Sequence, residues 1–267
     1  MIRIKTRDKE VVFVVSTGRT ATKAIAHYFS VTYDRCVAFH EPYPSRFLRV
    51  ASNLYLCGRI SRKSMGTFLG FCRRRLLEAV ACNMYIEANP FLHGCLDVFD
   101  DVFGRVKLVH IVRHPGDYVT SYLNFGVFRG LKGFAANYFP YWMIKPDKYE
   151  EIPQKYWKEM EAYERIAWRW KSINTILDRG EELFTDRYIR IRFEDLFAND
   201  ASGLGQIAEW LGLPSEPIRS LKSTKRKIHA SHNKGFPHWR NWDQEMRDVV
   251  QGHCRRLMEK YQYTFDE

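Results

Sequence analysis

Four stretches of this chain concentrate side chains that bind anions or move protons. The first runs from Ser16 to Lys23 (STGRTATK), where hydroxyls and two cations surround Gly18. A helix starting here would present its N-terminal N–H groups and the positive end of its dipole to an anion. Arg19, Thr20, Ala21, Thr22 and Lys23 then add charge, hydroxyls or backbone donors around the same point. The spacing superficially follows the phosphate loop GxxxxGK with Ser or Thr after the Lys. Here Thr22 stands where the second glycine belongs, and Ala24 replaces the hydroxyl that ligates Mg²⁺. Such a loop suits a nucleotide whose transferred group needs no metal. A sulfuryl group carries one negative charge against the two of a terminal phosphoryl, so positioned Arg and Lys side chains can serve.

The second stretch is Arg113 to Ser121 (RHPGDYVTS). Pro115 suits a first helical turn, leaving Arg113 at a strand tip with Ser121 two turns along the helix; the pair suits a second phosphate. His114 is read as orienting the Arg113 loop. The third is Asn233 to Trp242 (NKGFPHWRNW), where Lys234 and Gly235 can close over a phosphate and the aromatics exclude water. The fourth, His40-Glu41, offers a general base by either member: an imidazole's ordinary range lies near neutrality, whereas a carboxylate needs burial to reach it. No metal site is expected: His229 and His232 have no neighbouring Cys or carboxylate, and His93-Gly94-Cys95 lacks further partners to complete a ligand set.

These residues need a frame that gathers strand ends. Short apolar runs at Val11–Ser16, Cys36–Phe39, Met84–Glu87, Val106–Val112 and Tyr188–Phe193 read as buried parallel strands, each ending in a polar group. Helical periodicity covers Ala21–Phe29, Trp157–Leu177 with Gly180 as its stop, Leu204–Leu211 and Met246–Tyr261. Alternation of this kind predicts an α/β chain, one domain over residues 1–267, with a doubly wound parallel sheet of about five strands flanked by helices. Ligands in such sheets gather beyond the carboxyl ends of the strands, where the polar groups lie. The aromatic-rich stretch 124–156 is expected as a helical insert serving as a lid or acceptor platform. The His40–Arg46 and Asn89–His93 loops are candidate acceptor walls.

Composition bounds the rest. The 267 residues carry 42 Lys+Arg against 31 Asp+Glu, a net charge of +11, with 45% hydrophobic and 15% aromatic residues. That is ample for a packed core and excludes disorder as the main state. No apolar run approaches the ~20 residues that cross a bilayer. The charged first ten residues hold no secretory signal, and six scattered cysteines without a CxxC pair read as reduced thiols, so a cytoplasmic protein is expected. The basic clusters Arg73-Arg74-Arg75, Lys222 to Lys227 and Arg255-Arg256 read as solvated faces or loops, with peripheral contact to an anionic membrane left open.

With these motifs in order, the chain resembles the sulfotransferase family that uses 3′-phosphoadenosine 5′-phosphosulfate. The 5′-phosphosulfate loop of that family is similar to Ser16–Lys23, its 3′-phosphate pair to Arg113 and Ser121, and its closing loop to Lys234-Gly235 with Trp239 and Trp242. An aromatic followed by Glu-Asp-Leu resembles Phe193-Glu194-Asp195-Leu196. The resemblance spans about residues 10–245. It implies a P-loop-like fold, metal-independent sulfuryl transfer to a hydroxyl or amine, Arg19 at the leaving oxygen, and Glu41 as base by analogy with the glycan and protein-tyrosine branches. The acceptor expected is a glycan, glycolipid or small metabolite. Three departures stand out: Arg19 where the cytosolic branch has Lys, Ala21 where Gly is common, and Asn233 where an Arg precedes Lys-Gly. Two other classes compete. A P-loop nucleotide kinase would require the hydroxyl that Ala24 lacks, and a non-catalytic nucleic-acid binder would use the +11 charge and show strongly salt-dependent affinity.

Overall fold

The computed structural model describes residues 3–4, 9–149, 154–198, 203–214 and 235–266. In chain order the elements are β1 (Glu10–Ser16), α1 (Thr22–Thr32), β2 (Cys36–His40), α2 (Ser45–Leu56), α3 (Arg62–Ala79), β3 (Met84–Ala88), α4 (Phe99–Phe103) and β4 (Val106–Val112). They continue with α5 (Pro115–Phe125), α6 (Gly130–Tyr138), α7 (Pro146–Tyr149), α8 (Gln154–Glu159), α9 (Ala162–Asp178), α10 (Gly180–Phe184), β5 (Tyr188–Arg192), α11 (Gly203–Trp210) and α12 (Gln244–Tyr261). The chain divides into two compact units, Met1–Val112 with Ile176–His229, and Arg113–Thr175 with Ala230–Glu267. No helix among the described residues is long and apolar enough to cross a membrane.

The first unit is built on a five-stranded sheet in the order β2-β3-β1-β4-β5. Every pairing is parallel, with Val14 of β1 opposite Ala88 on one side and Val109 on the other. This is the α/β class that the alternating pattern predicts. β1 is the centre, and its uninterrupted Val-Val-Phe-Val-Val run is buried on both faces, as a strand covered by helices on each side requires. Alternation sends Val12 and Val14 into one cluster with Ile25, Tyr28 and Phe29 of α1 and Leu204 and Ile207 of α11. Phe13 faces the other way, stacked 4.3 Å from Phe99 and 5.2 Å from Phe103. From β1 the chain runs outward to β2 and β3, then returns across β1 to β4. The carboxyl end of β1, at Ser16, is therefore the switch point where open sheets leave a crevice.

All five strands lie within a residue or two of their expected positions; the fifth stops at Arg192 because Phe193–Asp195 turns as a 3₁₀ helix. The helix expected over Trp157–Leu177 is two helices, α8 and α9. The Arg165 guanidinium donates to the carbonyls of Lys158 at 2.9 Å and Met160 at 3.0 Å, satisfying the groups that end α8. Gly180 does not stop α9 through its backbone freedom but opens α10. A Cβ there would lie 2.7 Å from Leu108 Cδ2 and 2.8 Å from Tyr188 Cε2, so glycine allows close packing on the sheet. In the second unit, α9 and α12 pack through buried Trp170, whose ring meets Tyr261 edge-on at 6.0 Å. The 124–156 stretch holds α6, α7 and the start of α8, and residues 150–153 lie outside the described set.

The cluster Arg73-Arg74-Arg75 is not one solvated basic patch. Arg74 is exposed and pairs with Glu78 one turn later at 2.8 Å, but Arg73 is fully buried. Its Nε and Nη2 donate to the two oxygens of Glu87 at 2.6 and 2.7 Å, a bidentate pair with no exposure on either side chain. Tyr85 OH and Asn89 Nδ2 complete the coordination of Glu87, each at 2.7 Å. Ser45 Oγ accepts from Arg73 at 3.1 Å and from Asn89 at 2.9 Å, and donates to Pro42 O at 2.5 Å. Asn89 N–H also reaches Val14 O at 2.9 Å. One network thus ties α3, the ends of β1 and β3, and the loop after β2. Removing one partner leaves a buried charge alone, at a cost of about 3–5 kcal/mol. Urea unfolding should show Arg73→Met and Glu87→Gln each destabilised by that order. The double variant should cost clearly less than the two singles together, and simple additivity would refute the coupling.

Candidate active site

The loop after β1 takes an unusual path. Gly18, Arg19 and Ala21 have φ of 88°, 58° and 55°, so two non-glycine residues adopt the left-handed conformation. Each costs on the order of 1 kcal/mol or more and persists only where surrounding contacts enforce it. The enforcing contacts converge on Ser16, whose buried Oγ accepts from Gly18 N–H at 3.0 Å and from Thr20 Oγ1 at 2.7 Å. The Thr20 hydroxyl is thereby engaged, so Thr20 can offer an anion its backbone N–H but not the side-chain donor expected from sequence. Turns of this kind are among those that can aim successive backbone amides into a concavity suited to an anion.

Helix α1 begins directly from this turn. Ala21 is its N-cap and brings no side-chain acceptor to it, and the first turn holds no acidic residue. Ala24 and Ile25 donate to Ala21 O at 2.8 and 3.0 Å, so the intrahelical bonds begin at Ala24 and the N–H groups of Thr22 and Lys23 precede them, at the positive end of the helix dipole. Thr22 is buried, Arg19 half-buried, and Lys23, at the second helical position, exposed. Ser16–Lys23 therefore sets backbone N–H groups at the start of α1 beside two cations, Arg19 and Lys23.

His40 ends β2, paired in register with Ala88 of β3. Glu41 follows with φ 45° and donates its N–H to Ala88 O at 3.2 Å. Their side chains approach to 3.8 Å, His40 Nε2 to Glu41 Oε1, with 29% and 33% exposure. His40 Nδ1 is buried and, among the described residues, has no hydrogen-bond partner. β3 lies between β2 and β1, so this pair sits about two strand spacings, on the order of 10 Å, from the β1 loop. The intervening Asn89 is not an open acceptor wall as expected, because its amide is engaged by Glu87 and Ser45. His93 is buried as well, bonded to Pro90 O at 3.0 Å and Asn53 Oδ1 at 3.2 Å.

Within the second unit, Arg113 precedes α5 and Ser121 lies on that helix. Pro115 opens α5 as expected, and His114 is its N-cap. Its Nδ1 accepts from Gly116 N–H at 3.1 Å while Nε2 donates to Thr264 O at 2.9 Å, which assigns the proton to Nε2. The imidazole stacks on Trp239 at 4.5 Å with a 26° interplanar angle. A Cβ on Gly116 would lie 2.5 Å from Trp239 Cγ, so only glycine admits the indole there. Trp170 Nε1 donates to Arg113 O at 2.9 Å. Arg113 and Ser121 are both half-buried.

Lys234 lies outside the described residues; Gly235 is exposed and opens the final segment. Its neighbour Phe236 is bracketed onto α5 by Asn124, whose Oδ1 accepts from Phe236 N at 2.9 Å and whose Nδ2 donates to Phe236 O at 3.1 Å. Asn124 stands three residues after Ser121, so α5 gathers the Arg113–Ser121 pair and the Gly235 segment. Trp239 and Trp242 are both buried; Trp242 Nε1 donates to Pro237 O at 3.1 Å. The structure adds Arg73, Glu87 and Ser45 to the residues that matter. The available signal was Glu87 itself, a carboxylate in an otherwise apolar strand that demands a buried partner. Among the described residues no group of three His, Cys, Asp or Glu side chains could hold a metal ion; His229 and His232 fall outside them.

The chain matches, with a TM-score of 0.55 and 14% identity, a sulfotransferase domain from the curacin biosynthetic pathway, over 96% of this chain and 98% of that one. A sulfotransferase from Alicyclobacillus acidocaldarius matches at a TM-score of 0.56 and 15% identity over 96% and 97%. A mouse sulfotransferase complexed with PAP matches at 0.50 and 12% over 97% and 90%. These identities speak for the fold. A separate match, 30% identical over 109 residues, is to the acetyl-coenzyme A carboxylase carboxyl transferase subunit alpha of Bacillus thuringiensis (strain Al Hakam). It takes in 40% of this chain and 33% of that protein, so the chain spans about a third of the length of the curated relatives it matches. Residues 21–217, most of the chain, match the profile described as Sulfotransferase family, and to that family the chain belongs.

Proposed function

We propose that this protein transfers a sulfuryl group from 3′-phosphoadenosine 5′-phosphosulfate to a hydroxyl or amine of a glycan, glycolipid or small-metabolite acceptor. The observation that carries the reading is the start of α1, approached through left-handed Gly18, Arg19 and Ala21 and followed by Lys23-Ala24. An anion cradle with two cations and no hydroxyl at position 24 suits a 5′-phosphosulfate better than a Mg²⁺-bound triphosphate. The relative whose structure carries PAP supports the same donor.

On this reading the donor has two anchors. The amides of the β1–α1 loop, with Arg19 and Lys23, would hold the 5′-phosphosulfate; Arg113 and Ser121 would hold the 3′-phosphate, with Lys234 and Gly235 closing over it. When bound, the donor supplies the sulfuryl group, whose bond to the phosphate oxygen breaks as the bond to the acceptor forms. Arg19, Lys23 and the loop amides then stabilise the charge that develops on the leaving oxygen. The acceptor proton passes to Glu41, with His40 Nε2 beside the same carboxylate.

Two measurements test this. With 3′-phosphoadenosine 5′-phosphate at about a hundredfold excess over its Kd, melting should rise by several degrees, matching the ~2.7 kcal/mol of linkage. Arg113→Ala should abolish most of that rise, whereas ATP with Mg²⁺ should produce little; the reverse order would favour a kinase. In a sulfuryl-transfer assay, Glu41→Gln should reduce kcat by a factor on the order of 10²–10⁴ while nucleotide binding persists. Near-normal turnover of Glu41→Gln together with loss in His40→Ala would move the base to His40.

A further inference from the structure

Helix α6 is built inside out. Gly133 and Ala136 face inward, whereas Leu131, Phe134 and Tyr138 project into solvent with 89%, 54% and 72% of their surface exposed. Phe139, which follows, is 54% exposed. The rings of Phe134 and Tyr138 lie 4.9 Å apart and those of Phe134 and Phe139 6.0 Å, so the outward residues form one apolar cluster. A Cβ at Gly133 would stand 2.3 Å from the Phe128 carbonyl oxygen, so that surface accepts only glycine against the backbone. Lys145 Nζ pins the far end by donating to Asn137 O at 2.9 Å.

Charge along the segment has one sign. From Phe125 to Lys145 the chain carries Arg129, Lys132 and Lys145 and no Asp or Glu, and Arg129 is exposed. Contiguous exposed apolar patches mark interaction surfaces. An outward Leu and Phe beside a Tyr, whose ring is apolar and whose tip is polar, fit the boundary between headgroups and acyl chains. Lys145 is buried with Asp147 beside it, so the exposed guanidinium of Arg129 is the charge that an anionic leaflet would attract. The nine residues of α6 are far too few to span a bilayer, so contact would be in the plane of the surface.

We propose that α6 and Phe139 dock this protein on anionic phospholipid membranes, with Leu131, Phe134 and Tyr138 entering between the headgroups. The inference does not depend on the sulfuryl-transfer reading, and its readout is protein mass on vesicles. The full chain is sedimented with phosphatidylcholine vesicles, with and without phosphatidylglycerol. It should partition onto the phosphatidylglycerol vesicles and come off as salt is raised. L131S/F134S, at positions whose exposure spares the fold, should melt as the wild type does but bind those vesicles more weakly by a factor on the order of ten. Three results would overturn the proposal: no partition onto phosphatidylglycerol vesicles, equal partition onto phosphatidylcholine alone, or a double variant that binds undiminished. Light scattering that showed a dimer dissociated by L131S/F134S would assign the face to a second copy of the chain instead.

Discussion

A carboxylate at the end of a buried strand must be neutralised where it stands, and Glu87 is neutralised by Arg73. The bidentate pair excludes water on both sides, so neither group can relax by solvation. Its remaining lone pairs and protons recruit Tyr85, Asn89 and Ser45, and through Ser45 the carbonyl of Pro42. Glu41 sits one residue before Pro42, and Val14, bonded to Asn89, sits two before Ser16. Both candidate sites of the first unit thus hang from one buried charge pair. An unpaired ion in this setting is far more costly than a lost hydrophobic contact, so the arrangement is held to a single geometry.

Steric exclusion performs the same task around α5. His114 caps the helix with one ring nitrogen and grips Thr264 with the other, and its face is filled by Trp239. Because Gly116 leaves no volume beyond the indole, the start of α5 cannot shift without displacing Trp239. Trp170 fixes the Arg113 carbonyl from α9. The guanidinium of Arg113 is consequently carried by a segment restrained on several sides, which lowers the ordering cost of any contact it makes.

Much of the frame was legible in the residues. Strands such as Val106–Val112 are short β-branched runs with polar ends, a pattern with few alternative folds, and they appear where expected. The Arg73-Arg74-Arg75 cluster misled because helical phase alone decides which of three consecutive arginines points inward, and the deciding partner, Glu87, lies fourteen residues away on β3. The single helix expected over Trp157–Leu177 misled because one apolar periodicity can run through two helices; the break depends on where Arg165 finds carbonyls to cap. Thr20 looked like a ligand donor until its hydroxyl was found on Ser16, and Asn89 like a wall until its amide was found on Glu87.

By itself the sequence determined which residue types stand at the strand ends, that Ala24 brings no hydroxyl to the loop lysine, and that a parallel α/β sheet gathers those ends, because local periodicity and strand connection rules act over short distances. Only the tertiary structure decided which donors are left for a ligand, which are consumed by neighbours, and which apolar side chains of α6 face outward. Those outcomes depend on partners distant in the chain and on available volume, such as the space that the Phe128 carbonyl denies to any side chain at Gly133.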